Sequence, residues 1–236
     1  MLSNNLLALG ITFICALLWL RLNDLAAHRG WISSTLSRKL IHIGTGPIFV
    51  ACWLLFSNTD PVRYLAALVP LAITAQFILV GAGIIRDQAA VQAMSRTGER
   101  REILRGPLFY GLVFVLITAL YWYDSPVGIV ALMLMCGGDG LADIIGRRYG
   151  TIRLPWNSTK SWAGSLGMFF GGWIFSLAIL ALYLAAGIFA GSLSNYLLPI
   201  TVIALIGTLI ESLPLRDIDN LTITLGALVT GHLLLM

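Results

Sequence analysis

Eight runs of apolar residues follow one another along the 236-residue chain. They are Leu6–Leu20, Leu40–Phe56, Val62–Ile85, Pro107–Tyr123, Val127–Ile145, Trp162–Phe189, Tyr196–Leu213 and Leu221–Met236. Most approach the ~20 residues that a helix needs to cross a bilayer. In hydrocarbon every backbone N–H and C=O must find a partner inside the protein, so spans are helices or closed barrels. Continuous runs of this length are helical. The fold class is therefore all-α: a polytopic membrane bundle of about eight transmembrane helices, with residues 1–236 forming a single domain. The sixth run is long enough to tilt or to extend beyond the bilayer, and the eighth is short. Only 11% of the residues are charged, against about 25% in soluble domains. No basic run of the kind that binds nucleic acid is present. Cys15, Cys52 and Cys136 all lie inside apolar runs without CxxC spacing, which reads as buried small hydrophobes rather than disulfides or a zinc site.

The basic residues are segregated. The first, third, fifth and seventh connections hold fourteen of the fifteen lysines and arginines, and only Arg63 lies on the other side. The positive-inside rule places these four connections in the cytoplasm and both termini opposite. The opposite loops are short, so the working face is cytoplasmic. No basic segment precedes the first run, which is expected to be a retained membrane helix. The lack of an Arg- and Ser-rich transit peptide favours a bacterial chain, for instance a cyanobacterial one, in an inner or thylakoid membrane.

The chemistry concentrates in CGGDGLADIIGRRYGTIRLPWNSTKSWAGSLG, residues 136–167. Asp139 and Asp143 stand four residues apart and share a helix face, with Arg147 one turn on. Carboxylates inside an apolar span are costly and mark functional sites. The alternative is a structural ion pair with Arg147 or Arg148. Glycines such as Gly138, Gly140 and Gly164 would let the backbone approach a ligand and offer N–H groups to an anion. Lys160, with Ser161 after it, lacks the GxxxxGK[ST] spacing of a Walker A loop. Acids able to hold Mg²⁺ beside phosphate-binding bases form the composition of a phosphoryl-transfer site.

Three further groups join this stretch. Arg38, Lys39 and His42 share the start of the second run, which fits surface anchoring as well as phosphate binding. Lys39 and Lys160 are the only lysines in the chain, and both sit beside candidate chemistry. Arg100 and Arg101 belong to a connector of mixed charge and offer an arginine pair for a phosphate. Glu211 ends the seventh run, where it would complete a metal set with Asp139 and Asp143. Asp217 and Asp219 follow, and either would also serve as a surface cap for the last helix.

At these residues the chain resembles a known family. RKLIHIGTGP at 38–47, MSRTGERREILRGPLFY at 94–110, GGDGLADIIGRRYG at 137–150, NSTKSWAGSLG at 157–167 and ESLPLRDIDNLT at 211–222 look like the motifs of the phytol kinases. These belong to the CTP-dependent polyprenol kinases, which include dolichol kinases and are distantly similar to phosphatidate cytidylyltransferases. The last motif has Ile218-Asp219 where the family often has two acids, and Thr224 where it tends to proline; this points to Asp219 rather than Asp217. The resemblance implies transfer of the γ-phosphoryl group of CTP, or UTP, to a membrane-dissolved isoprenoid alcohol, phytol first, in phytol salvage toward tocopherol-type prenyl diphosphates. It implies Mg²⁺ on Asp139, Asp143 and Glu211, charge neutralisation by Lys160 and Arg147, and a nucleotide held by Arg38, Lys39, His42, Arg100, Arg101, Arg148, Ser161 and the glycines. Asp139 or Asp219 would take the alcohol proton. The alternatives are another prenol kinase (for geranylgeraniol, farnesol or dolichol), a cytidylyltransferase releasing pyrophosphate, and a small ion-coupled transporter. Asp139→Asn is expected to abolish turnover in a protein that still folds and inserts; lipid-phosphate formation and size-exclusion behaviour in detergent check both halves.

Overall fold

The computed structural model describes all residues except Met1, Arg96, Asp124, Arg216 and Asp217. Asp217, named above, and Arg96 and Arg216, two of the fourteen basic residues counted in the connections, lie outside the described residues. Each apolar run forms a helix. α1 spans Leu2–His28, α2 Ser34–Trp53 and α3 Asp60–Ala82; a short α4, Gln88–Met94, and a 3-10 turn, Arg100–Leu104, then lead into α5, Gly106–Leu120. α6, Pro126–Met133, runs through a π-helical segment, Leu134–Gly138, into α7, Asp139–Tyr149. α8, Trp162–Ala185, α9, Leu193–Glu211, and α10, Asp219–Leu235, complete the bundle. Among the described residues six spans are long and apolar enough to cross a membrane. α2 and α10 are the other two long helices. α2 has a polar first half carrying Arg38 and Lys39, and α10 has only 17 residues, about 25 Å of rise. The protein is an integral multi-pass helical membrane protein.

A hairpin that hydrophobic periodicity did not reveal joins α7 to α8. β1, Arg153–Leu154, pairs antiparallel with β2, Asn157–Ser161, so that Leu154 faces Asn157 across a turn at Pro155 and Trp156. Trp156 Nε1 donates to Ser212 Oγ at 3.2 Å, and Asn157 Nδ2 donates to the Ser212 carbonyl at 3.0 Å. The hairpin is thereby fastened to the end of α9.

The α6–π–α7 helix is the axis of the bundle. Every residue from Pro126 to Gly140 is buried, which accounts for a sequence apolar on all sides. Ser125 caps its start by accepting from the Val127 N–H at 3.1 Å, with Pro126 in the first turn. α8 crosses this axis at backbone contact. A Cβ at Gly167 would lie 2.9 Å from the Leu141 carbonyl oxygen, and one at Gly171 would lie 2.5 Å from that of Gly137. A Cβ at Gly146 would stand 3.3 Å from the Gly164 Cα. This is the small-residue packing that membrane helices use where apolar burial alone provides little attraction. Gly138 likewise faces Met168, with 2.7 Å to its Sδ, and Gly140 faces the Ile43 side chain on α2. The structure thus uses these glycines for close helix crossings, rather than for the exposed N–H groups anticipated from their number.

Adding one methyl at Gly171 is expected to destabilise the fold by about 1–3 kcal/mol through overpacking, whereas Gly10→Ala, with nothing within 4 Å of its added Cβ, should be neutral. Thermal unfolding of both variants in detergent distinguishes them.

Candidate active site

The π-helical segment determines how the axis ends. In a π turn the i→i−4 ladder shifts and a carbonyl loses its usual partner. Here His42 Nε2 lies 3.0 Å from the Met135 carbonyl, bridging α2 to the π segment. The same nitrogen lies 3.3 Å from Asp139 Oδ2. The Tyr110 hydroxyl donates to the His42 carbonyl at 2.7 Å, and the two rings meet at a tilt of 36° with centroids 4.5 Å apart. His42 is therefore held from both sides and faces Asp139.

Lys39, three residues earlier on α2, stands between the two aspartates. Its Nζ is 3.8 Å from Asp139 Oδ2 and 3.5 Å from Asp143 Oδ2. Asp143 also accepts from Arg147 Nε at 3.0 Å, the i,i+4 pair that the spacing predicts. This Arg147 side chain is 56% exposed, so the pair sits at the surface while Asp139 is buried.

Across the site, Lys160 on β2 is paired with Glu211 at the end of α9. Glu211 Oε2 is buried without a hydrogen-bond partner. Burial disfavours the Lys160 ammonium, yet Glu211, and further off Asp139 and Asp219, outweigh it and raise the lysine pKa above its ordinary value. The two lysine–acid groups thus share one electrostatic field.

The structure also shows where the remaining candidates lie. Arg38 donates to the Ser95 carbonyl at 2.7 Å and helps line the cavity described below. Asp219 lines the same cavity. Arg100 packs its guanidinium against Gly83 at the left-handed end of α3 (φ +80), and Arg101 is exposed on the neighbouring turn. Neither lines this cavity. Arg148 lies over the Tyr149 ring, 5.5 Å from its centroid. Ser161 caps α8 by accepting from the Gly164 N–H at 3.1 Å. The expected metal trio does not gather: among the described residues no three of His, Cys, Asp and Glu stand as a metal-binding group, because Glu211 is turned to Lys160. Tyr110 and Asn220 were not singled out from the sequence, although both lie within the quoted motifs. Asn220 donates to the Gly106 carbonyl at 3.2 Å and leaves its buried Oδ1 without a partner.

A cavity of about 170 Å³ opens from this cluster into the bundle. Its polar end is formed by Arg38, Lys39, His42, Asp139, Asp219 and Asn220. Its interior is apolar, with Phe49 from α2, Ile73 and Phe77 from α3 and Phe114 from α5. Apolar cavities with a few convergent polar groups are where small molecules bind.

Known proteins resemble this chain along most of its length. The probable phytol kinase, chloroplastic, of Triticum aestivum is 39% identical over 213 residues, which are 89% of this chain and 71% of that protein. Phytol kinase 1, chloroplastic, of Arabidopsis thaliana is 38% identical over 207 residues, 87% of this chain and 68% of that protein. The chain belongs to the phytol kinase family. Farnesol kinase, chloroplastic, of Arabidopsis thaliana is 40% identical over 233 residues, 98% of this chain and 76% of that protein. These relatives are plant proteins named as chloroplastic, and they lend no support to a bacterial origin. No family model matches the chain, and no solved structure does.

Lys160→Met leaves Glu211 as an unpaired buried acid and is expected to cost about 3–5 kcal/mol; the double change with Glu211→Leu should recover most of that. Because the Lys160 pKa is raised, the pair's contribution is complete below the ordinary lysine value and declines only as pH rises through the raised one. Melting temperatures of the wild type and both variants, compared from neutral to strongly alkaline pH, check this.

Proposed function

We propose that this protein transfers the γ-phosphoryl group of CTP to the hydroxyl of a long-chain isoprenoid alcohol, phytol first, giving the alcohol monophosphate and CDP. The observation that carries this reading is the cavity whose apolar interior ends at Lys39, His42, Asp139 and Asp219. A bilayer-soluble alcohol must meet a water-soluble nucleotide, and a cavity apolar at one end and charged at the other is suited to that meeting. The names of the plant relatives point to the same chemistry. The segregated basic connections support a cytoplasmic orientation for the charged end.

In this mechanism the alcohol lies with its tail among the apolar side chains and its hydroxyl at the charged end. Its oxygen forms the new bond to the γ-phosphorus as the bond to the bridging oxygen of CTP breaks, and the hydroxyl proton passes to Asp139 or Asp219. His42 fixes the orientation of Asp139. Lys160 and Arg147 neutralise the charge that moves onto the departing CDP, since positioning and electrostatics do most of the work in phosphoryl transfer. Mg²⁺ fits the Asp139–Asp143 pair. Such ions are commonly held by one or two carboxylates plus substrate phosphates, and the Lys39 ammonium already stands as a cation within 4 Å of both acids. When bound, Mg²⁺ would offset the negative charge of the triphosphate.

The test is transfer of label from γ-labelled CTP to phytol, farnesol or geranylgeraniol by the purified protein with Mg²⁺. Labelled lipid monophosphate with CDP as co-product is the expected result. Pyrophosphate release without labelled lipid, or no transfer by folded protein, would overturn the kinase reading.

A further inference from the structure

Two aromatic rings lie farthest along α2 and α5 from the charged end among the residues that line the cavity. Phe49 on α2 and Phe114 on α5 both line it, with centroids 5.7 Å apart and planes inclined at 60°. They are 4% and 2% exposed. Behind them stands a layer with little room to yield. The Phe49 ring meets that of Trp53 at 5.9 Å, Trp53 meets Trp122 at 5.0 Å, and neither tryptophan has any exposed surface. Close-packed aromatic layers of this kind resist displacement.

The position of this floor along α2 gives a length. Phe49 lies seven residues beyond His42 and ten beyond Lys39, or about 10 Å and 15 Å of helix rise. An isoprene unit adds four main-chain carbon–carbon bonds of ~1.5 Å, roughly 5 Å when extended. The distance from the charged end to the rings therefore matches two to three isoprene units, so the third unit ends at the rings and the fourth unit of a longer alcohol must be accommodated against them.

From this we infer that Phe49 and Phe114 are the chain-length-determining residues of the enzyme: they form the wall that fixes the relative rates for three-unit and four-unit prenols. This inference rests on the proposed function, since it takes the cavity occupant to be the isoprenoid tail. It deepens that reading by assigning length selection to one ring pair, and it bears on a family whose members are named for both farnesol and phytol.

The experiment compares kcat/KM for geraniol, farnesol, geranylgeraniol and phytol in wild type, Phe114→Ala, Phe49→Leu and Ile73→Phe. Lowering the floor with Phe114→Ala or Phe49→Leu should raise the geranylgeraniol-to-farnesol ratio by about tenfold, in line with the discrimination that a few methylenes give in an apolar pocket. Ile73→Phe, which narrows the cavity from α3 at a half-buried position, should lower the same ratio and spare geraniol most. If Phe114→Ala fails to fold, the other two variants read the same ratio in opposite directions. An unchanged ratio in folded, active variants overturns the length assignment and leaves the kinase reading intact. Failure of the wild type to phosphorylate any of these alcohols, phytol included, overturns both.

Discussion

Asp139 is a carboxylate buried at the end of a helix that is surrounded on every side. Such a group persists only where cations and hydrogen-bond donors replace the water it has lost. Much of the bundle is arranged around that requirement. α2 must come close enough for Lys39 and His42 to reach the acid, and Gly140 opposite Ile43 permits the approach. His42 must be held at the correct rotation, which the Met135 carbonyl and Tyr110 achieve. α8 must start close beside α7 so that the hairpin carrying Lys160 returns to the same end of the bundle. The glycine crossing of α7 and α8 brings this about.

The chain contains only two lysines, and each holds an acid of the site. Lys39 stands between Asp139 and Asp143, and Lys160 pairs with Glu211. Pairs as secluded as these seldom add net stability, because desolvating two charges offsets much of their attraction. In the proposed reaction each ammonium would leave its carboxylate for a phosphate, and the carboxylate it releases would become available to a cation. Arginine, with its planar fork and fixed hydrogen-bond geometry, suits that exchange less well. Arginine stands at the rim at Arg147 and Arg148, and in the cavity at Arg38, which is engaged with the Ser95 carbonyl.

The membrane helices were legible in the sequence because apolar runs of bilayer length permit only one kind of backbone. The run drawn as Val62–Ile85 is the helix Asp60–Ala82, and Trp162–Phe189 is the helix Trp162–Ala185. The Asp139–Asp143–Arg147 face was legible from its four-residue spacing. The π turn was not, because its residues are apolar and small and carry no periodic signature of their own. Nor was the pairing of Lys160 with Glu211, which are 51 residues apart and meet only because the hairpin is fastened to α9 through Ser212. The hairpin itself has strands too short for alternation to register. The cavity depends on which faces of α2, α3 and α5 meet, and composition along any one of them does not encode that. The glycines of the central stretch were conspicuous in the sequence, but their role became clear only from what stands opposite each of them.

The π segment has a consequence for how the site tolerates changes in chain length. Each residue of an α-helix advances the face by about 100°, and a π turn takes up one extra residue within itself, so α7 keeps the facing it would have if that residue were absent. Losing one residue from Leu134–Gly138 would therefore straighten the segment into a regular helix with Asp139 and Asp143 still toward α2, and would remove only the freed Met135 carbonyl that His42 meets. The same loss from the regular turns of α6 would turn both acids away from α2 by more than a quarter of a circle while leaving the hydropathy of the span nearly intact.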